Sequence, residues 1–127
     1  MRVCLFEDRL VEDLEPLTLT RPAHDLLCGL TSLAAKQWHS FAPCATGVLV
    51  RPHLADLQRQ QRRGVAVNDL DWLRAGPTVL VNSRWLPPPG YVADVGRPCV
   101  ATVGDIGLSR NVARIRHKPS SLMLVCQ

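Results

Sequence analysis

The sequence predicts an α/β domain with a mostly parallel sheet flanked by helices. Two observations carry this: short apolar, β-rich runs at Arg2–Phe6, Thr46–Val50 and Thr78–Val81, and helical spacing in the stretches between them. At 127 residues the chain has room for one hydrophobic core. One domain over residues 1–127 is therefore expected.

The first run, Arg2–Phe6, is bounded by the acidic and polar stretch Glu7–Glu15 and reads as a buried first strand followed by a loop. From Leu30 onward, Leu30, Leu33, Ala34, Trp38 and Phe41 recur at the spacing of one helical face, with a start at Thr31 or Cys28-Gly29 and an end at Ala42-Pro43. The second strand closes at Arg51-Pro52. A polar-faced helix then begins around Leu54 and stops at Gly64. Val65–Val67 is a short apolar run, Asn68–Trp72 a turn or single helical turn, and Thr78–Val81 a strand after Gly76-Pro77. Beyond Leu86, Pro87-Pro88-Pro89-Gly90 excludes helix and strand alike. Val100–Val103 and Leu122–Cys126 are further candidate strands. Because the last of these runs almost to Gln127, the chain is expected to be the truncated front part of a longer polypeptide.

Composition narrows the function classes. With 46% hydrophobic and 20% charged residues the chain is globular in character, and no apolar stretch is long enough for a signal peptide or a membrane span. Five cysteines without a C-x-x-C pair suit reduced thiols and a cytoplasmic setting. Cys4 reads as a small core residue, and Trp38, Trp72 and Trp85 as core or interface anchors. The net charge of +4 is spread along the chain, and its single tight cluster, Arg59–Arg63, reads as a solvated helix end. With few aromatics to interleave, nucleic acid is not an expected partner. His24, His39, His53 and His117 form no recognisable hydrolase triad and read as surface or capping residues.

The most distinctive segment is Leu14–Leu26, LEPLTLTRPAHDL. Its PLT and RP elements resemble those of enzymes that join a sugar 1-phosphate to a nucleoside triphosphate. The continuation through His24-Asp25-Leu26 and Gly29-Leu30-Thr31-Ser32-Leu33 resembles the narrower GlmU-like sugar nucleotidyltransferase family. There, a nucleotidyltransferase-type domain precedes a hexapeptide-repeat acyltransferase domain. The likeness continues more faintly through Val79–Pro87 and Gly96–Leu108. It implies a partial Rossmann-like nucleotidyltransferase domain and UDP-N-acetylglucosamine pyrophosphorylase-like transfer from UTP, with Mg2+ as cofactor. It also implies a possible homo-oligomer through a repeat domain missing from this chain. The alternative is a non-catalytic module that binds a nucleotide sugar, or serves structurally, in front of the acyltransferase.

Pro16 and Pro22 restrict the backbone around Leu17, Thr18, Thr20 and Arg21, presenting them in an extended loop. Arg21 is the expected catalytic residue and phosphate contact, since a guanidinium fork grips phosphate oxygens at two points. Its alternative role is to pair with Asp25 or Glu15 and brace a surface loop. Pro16, Leu17, Thr18, Thr20, Arg21, Asn82 and Arg84 make up the expected substrate-binding set. The superfamily carries a glycine-rich phosphate loop after the first strand, where this chain has Phe6-Glu7-Asp8-Arg9-Leu10. Those acidic residues repel phosphate unless a divalent metal lies between, and Arg9 compensates only in part. At the end of the third strand, Val81-Asn82-Ser83-Arg84 stands where the superfamily has Gly-Asp. Asn82 is either a weak magnesium ligand or part of a strand-end turn, and Arg84 is able to replace some metal charge. Asp105, in Gly104-Asp105-Ile106-Gly107, is either a substitute metal ligand or a plain turn residue.

Overall fold

The computed structural model of the chain describes residues 1–42 and 44–92, together with the strand backbone at 100–101 and 123–126. The chain runs through β1 (Arg2–Phe6), two 3-10 turns (Arg9–Leu14 and Ala23–Asp25), and the small hairpin β2 (Leu27–Cys28) and β3 (Thr31–Ser32). Next come α1 (Leu33–His39), β4 (Ala45–Leu49), α2 (Pro52–Gln61), β5 (Ala66–Val67), α3 (Leu70–Arg74), β6 (Thr78–Asn82), β7 (Val100–Ala101) and β8 (Met123–Cys126).

The main sheet has the order β5-β4-β1-β6-β8-β7. Its first four strands are parallel, and β8 pairs antiparallel with both β6 and β7. The expected Rossmann-like α/β architecture is present. β1 is flanked on both sides, which explains why its centre, Val3-Cys4-Leu5, is apolar at consecutive positions.

Alternation along the strands divides the core. Val3, Leu5, Val48, Val79 and Val81 pack with Ala34 of α1, Leu54 and Ala55 of α2, Phe41 and Trp85. On the opposite face, Trp72 of α3 lies against Gly47, the register partner of Cys4. α1 and α2 therefore share one face and α3 covers the other.

This places the reversal of strand order. β1, β4 and β5 progress toward one edge, after which α3 carries the chain back and β6 pairs on the other side of β1. Phe6 and Asn82, the last residues of β1 and β6, are register partners, so Glu7-Asp8 and Ser83-Arg84 leave the sheet side by side. In open α/β sheets the crevice beyond the strand ends at such a reversal is the usual ligand position.

The α1 expectation needs correction at its start. Leu30 is not on the buried face but is 102% exposed, because Cys28-Gly29-Leu30-Thr31 folds as the β2–β3 hairpin, with Gly29 at φ 75°. The helix begins at Leu33, where the Ser32 hydroxyl caps it by accepting from the Ala35 N–H at 3.3 Å. Phe41 is buried as expected, although it lies past the helix end. Of Val100–Val103, the first two residues form β7, and Val103 lies outside the described residues.

Cys4 is a core residue, and burial pushes its thiol pKa up to about 12. Cys4, Cys28 and Cys44 are free thiols. Among the described residues no helix is long and apolar enough to cross a membrane.

A Cβ at Gly47 would lie 2.5 Å from Cζ3 of Trp72, whose ring also carries the Arg2 guanidinium 5.6 Å from its centroid. Gly47→Ala is expected to displace this ring and cost about 1–3 kcal/mol, measured as a lower urea midpoint at unchanged slope.

Candidate functional site

Glu7 follows β1 directly, and its side chain is only 3% exposed. Oε1 accepts from the Ala23 N–H at 3.0 Å, while Oε2 accepts from the backbone N–H and Nε of Arg51, both at 3.2 Å. Arg51 Nη2 then donates to the carbonyl of Thr18 and, at 3.4 Å, to that of Arg21. Glu7 is thus a brace for the Leu14–Leu26 segment. A carboxylate that accepts three hydrogen bonds from protein donors, one of them from a guanidinium, repels an incoming phosphate only weakly and has little capacity left for a metal.

The same segment is held largely through its main chain. The Leu19 carbonyl accepts from His53 Nε2 at 3.3 Å, and the buried Thr18 hydroxyl donates to the Val11 carbonyl at 2.9 Å. Thr18 therefore positions the loop from inside it. Pro16, which follows a cis peptide bond, and Leu17, Leu19, Thr20 and Arg21 are exposed.

At the crevice between the ends of β1 and β6, Asp8 meets Arg84 in a two-point pair, Nε to Oδ1 at 2.9 Å and Nη2 to Oδ2 at 2.7 Å. Asn82 Nδ2 donates to the same Oδ2 at 2.7 Å, and Asn82 Oδ1 accepts from the Arg84 N–H at 2.9 Å. Burial pulls the Asp8 carboxyl upward. The hydrogen bonds from Arg84 and Asn82, the Arg84 charge and the Leu10 N–H outweigh it, so its pKa lies below the ordinary value.

This arrangement tests the magnesium expectation. Asn82's amide oxygen is taken by a backbone N–H, and Asp8's carboxylate by a guanidinium and an amide. Among the described residues no group of three or more His, Cys, Asp or Glu gathers in a way that would hold a metal. The described residues of the crevice do not fit a resident magnesium ion, because a cation, Arg84, already satisfies the Asp8 carboxylate. Asp105 lies outside the described residues, as does its turn.

His24 is not a surface or capping residue. The 3-10 turn Ala23–Asp25 directs it inward, where it is fully buried between α2 and the end of β6. Its Nδ1 lies 3.3 Å from Ser83 Oγ and its Nε2 3.2 Å from Gln58 Oε1. Gln58 Nε2 donates to Asp25 Oδ2 at 2.6 Å, which orients the amide with its oxygen toward the imidazole. Nε2 therefore carries the proton, and Nδ1 accepts from the Ser83 hydroxyl. Burial, aided by the Arg62 charge, lowers the His24 pKa against the opposing pull of Asp25, Gln58 and Glu7. Ser83 is itself fully buried, so this contact offers no nucleophile to a substrate.

Arg62 likewise departs from the reading of Arg59–Arg63 as a solvated helix end. It pairs with Asp25 through Nη2, donates from Nε to Gln58 Oε1 at 3.1 Å, and places its guanidinium 4.9 Å from the Trp38 ring centroid. Arg59 does behave as a surface residue, paired with the exposed Asp56. Arg62 was illegible because its partners, Asp25 and Trp38, are distant in sequence. A Gln-x-x-x-Arg spacing at a helix end was the available signal.

The structure thus divides the expected site into two places. Asn82 and Arg84 meet at the crevice with Asp8. Thr20 and Arg21 line an open cleft of about 470 Å³ with Asp25, Leu57, Gln61 and Arg62. The Arg21 guanidinium pairs with neither Asp25 nor Glu15, and among the described residues it has no hydrogen-bond or ion-pair partner.

No curated protein matches the chain. A family model described as sugar nucleotidyl transferase matches residues 3–102, a span that runs from within β1 through β7 and includes every crevice and cleft residue named above. With a parallel sheet, a strand-order reversal between β1 and β6, and a polar crevice at that reversal, the chain belongs to the sugar nucleotidyl transferase family.

Proposed function

We propose that this domain transfers a uridylyl group from UTP to N-acetylglucosamine 1-phosphate, with the nucleotide seated in the crevice beyond β1 and β6. The observation carrying this reading is the Asp8–Asn82–Arg84 cluster at the strand-order reversal of a sugar nucleotidyl transferase domain. In this reaction a phosphate oxygen of the sugar phosphate attacks the α-phosphorus of UTP, and the bond to the leaving pyrophosphate breaks. Arg84 is the group placed to neutralise phosphate charge, and Asp8 and Asn82 orient its fork. Magnesium, in this reading, arrives with UTP as the metal–nucleotide substrate. The resemblance further suggests a cytoplasmic protein in which a hexapeptide-repeat acyltransferase domain follows and drives oligomerisation.

Pyrophosphate release by the full-length protein, given UTP and N-acetylglucosamine 1-phosphate, tests the reading. Arg84→Ala is expected to lower kcat/KM by about 10²–10³. An intact fold without turnover sinks the proposal.

A second reading is favoured by how completely Asp8 is occupied by Arg84 and Asn82. On that reading the domain binds a nucleotide sugar without chemistry, in front of the acyltransferase. Calorimetry with UDP-N-acetylglucosamine separates the two, since binding without pyrophosphate release selects the module.

A further inference from the structure

We propose that the cleft between the Leu14–Leu26 segment and α2 is a binding site for a small phosphomonoester, with Arg21, Arg62 and Thr20 as its anion contacts. This site is separate from the nucleotide crevice and does not depend on nucleotidyl transfer.

The charge balance comes first. The cleft is lined by two guanidiniums and one carboxylate, Arg21, Arg62 and Asp25, so it carries a net charge of +1. At the crevice the charges of Glu7 and Asp8 are matched by those of Arg51 and Arg84. The cleft thus keeps one positive charge beyond its own carboxylate, and an anion is drawn there.

Preorganisation is the second argument. Arg62 is held by Asp25, Gln58 and the Trp38 ring, and its side chain is only 20% exposed. Asp25 and Gln58 each take one N–H of Arg62, so three of its five donors remain for a ligand. Little side-chain entropy is left to lose when it binds an anion. Arg21 is the exposed half of the pair, with its carbonyl bonded to Arg51 and its guanidinium without a protein partner among the described residues. One guanidinium fixed and one adjustable suits a tetrahedral dianion approached from two sides.

Ligand class follows from size and lining. About 470 Å³ accommodates a phosphate with a small carbon skeleton. The Thr20 hydroxyl and Gln61 amide supply hydrogen bonds for hydroxyl groups, and Leu57 supplies the apolar wall. Among the described residues the lining holds no aromatic ring on which a base would stack.

The nucleotide crevice is a different place. The buried His24, with Ser83 on one side and Gln58 on the other, stands between the end of β6 and the Asp25–Gln58–Arg62 group. A phosphate held by Arg62 is therefore not the one reacting beside Arg84.

The full chain, labelled for observation of arginine Nε–Hε resonances, is titrated with inorganic phosphate and with a hexose 6-phosphate. The expected result is saturable shifts of the Arg21 and Arg62 signals, with the hexose phosphate binding more tightly than phosphate. Arg21→Ala, at an exposed side chain that leaves the fold undisturbed, is expected to weaken binding at least tenfold. Arg62→Gln is expected to do the same. Shifts confined to Arg84, an affinity unchanged in Arg21→Ala, or no saturation at millimolar phosphate each overturn the proposal.

Discussion

Glu7→Ala is expected to destabilise the domain by about 3 kcal/mol and to loosen the whole Leu14–Leu26 segment. The carboxylate is almost wholly enclosed and accepts from Ala23 and twice from Arg51. Truncation leaves the Arg51 guanidinium, four-fifths covered, without its counter-charge, and two backbone N–H groups without acceptors. Its connections to the Thr18 and Arg21 carbonyls then lose their anchor. Urea titration measures the loss as a lower midpoint, and hydrogen exchange is expected to show faster exchange in residues 16–23 than in β1. Glu7→Gln retains the shape and one acceptor, so it should cost less. Equal stability of Glu7→Ala and the parent would show that the brace is not what holds the segment.

His24→Ala is expected to cost about 2–4 kcal/mol and to flatten the acid side of the stability profile. The substitution empties a fully buried site and removes the hydrogen-bond partners of Ser83 and Gln58. The pH effect follows from the lowered pKa of His24, since the folded state disfavours the protonated imidazole. Its contribution is fully present above the unfolded value of about 6.5 and is lost as the pH falls from there through the depressed folded value. Thermal midpoints of the parent should therefore fall between pH 7 and pH 5, more steeply than those of His24→Ala. The Asp8 pair acts in a lower window. Its pKa is depressed, so its contribution is present above the unfolded carboxyl value and is lost as the pH drops through the folded one, in the region below about 4. Parallel profiles for parent and variant between pH 7 and pH 5 would remove His24 as the cause.

Much of the strand pattern was readable because it depends on local composition. Val3-Cys4-Leu5 and Thr78–Val81 are short apolar runs bounded by polar or turn residues, and they form β1 and most of β6. Spacing counts apolar residues without knowing which turn they occupy, and so it sets Leu30 on the helix face. A glycine at positive φ made a hairpin where the periodicity suggested helix. Asn82 and Arg84 were legible as candidates from their place at a strand end. Their occupation by Asp8 was not, because it requires knowing that β1 and β6 are neighbours in register. His24 and Arg62 were read as surface residues for the same reason. Polar side chains look solvated in a sequence, and only partners from other elements make burial affordable.

By itself the sequence determined the parallel α/β class, the core position of Cys4, and the distinctive proline-bounded Leu14–Leu26 segment, since proline and apolar runs act over a few residues. Tertiary structure decided which charges remain for a ligand. Arg84 and Arg51 are matched by Asp8 and Glu7, whereas among the described residues the Arg21 guanidinium has no partner and lines one cleft with the braced Arg62. The physical reason is that an ion pair is set by distance in space, and the pairs that settle these charges join residues 37 to 76 positions apart.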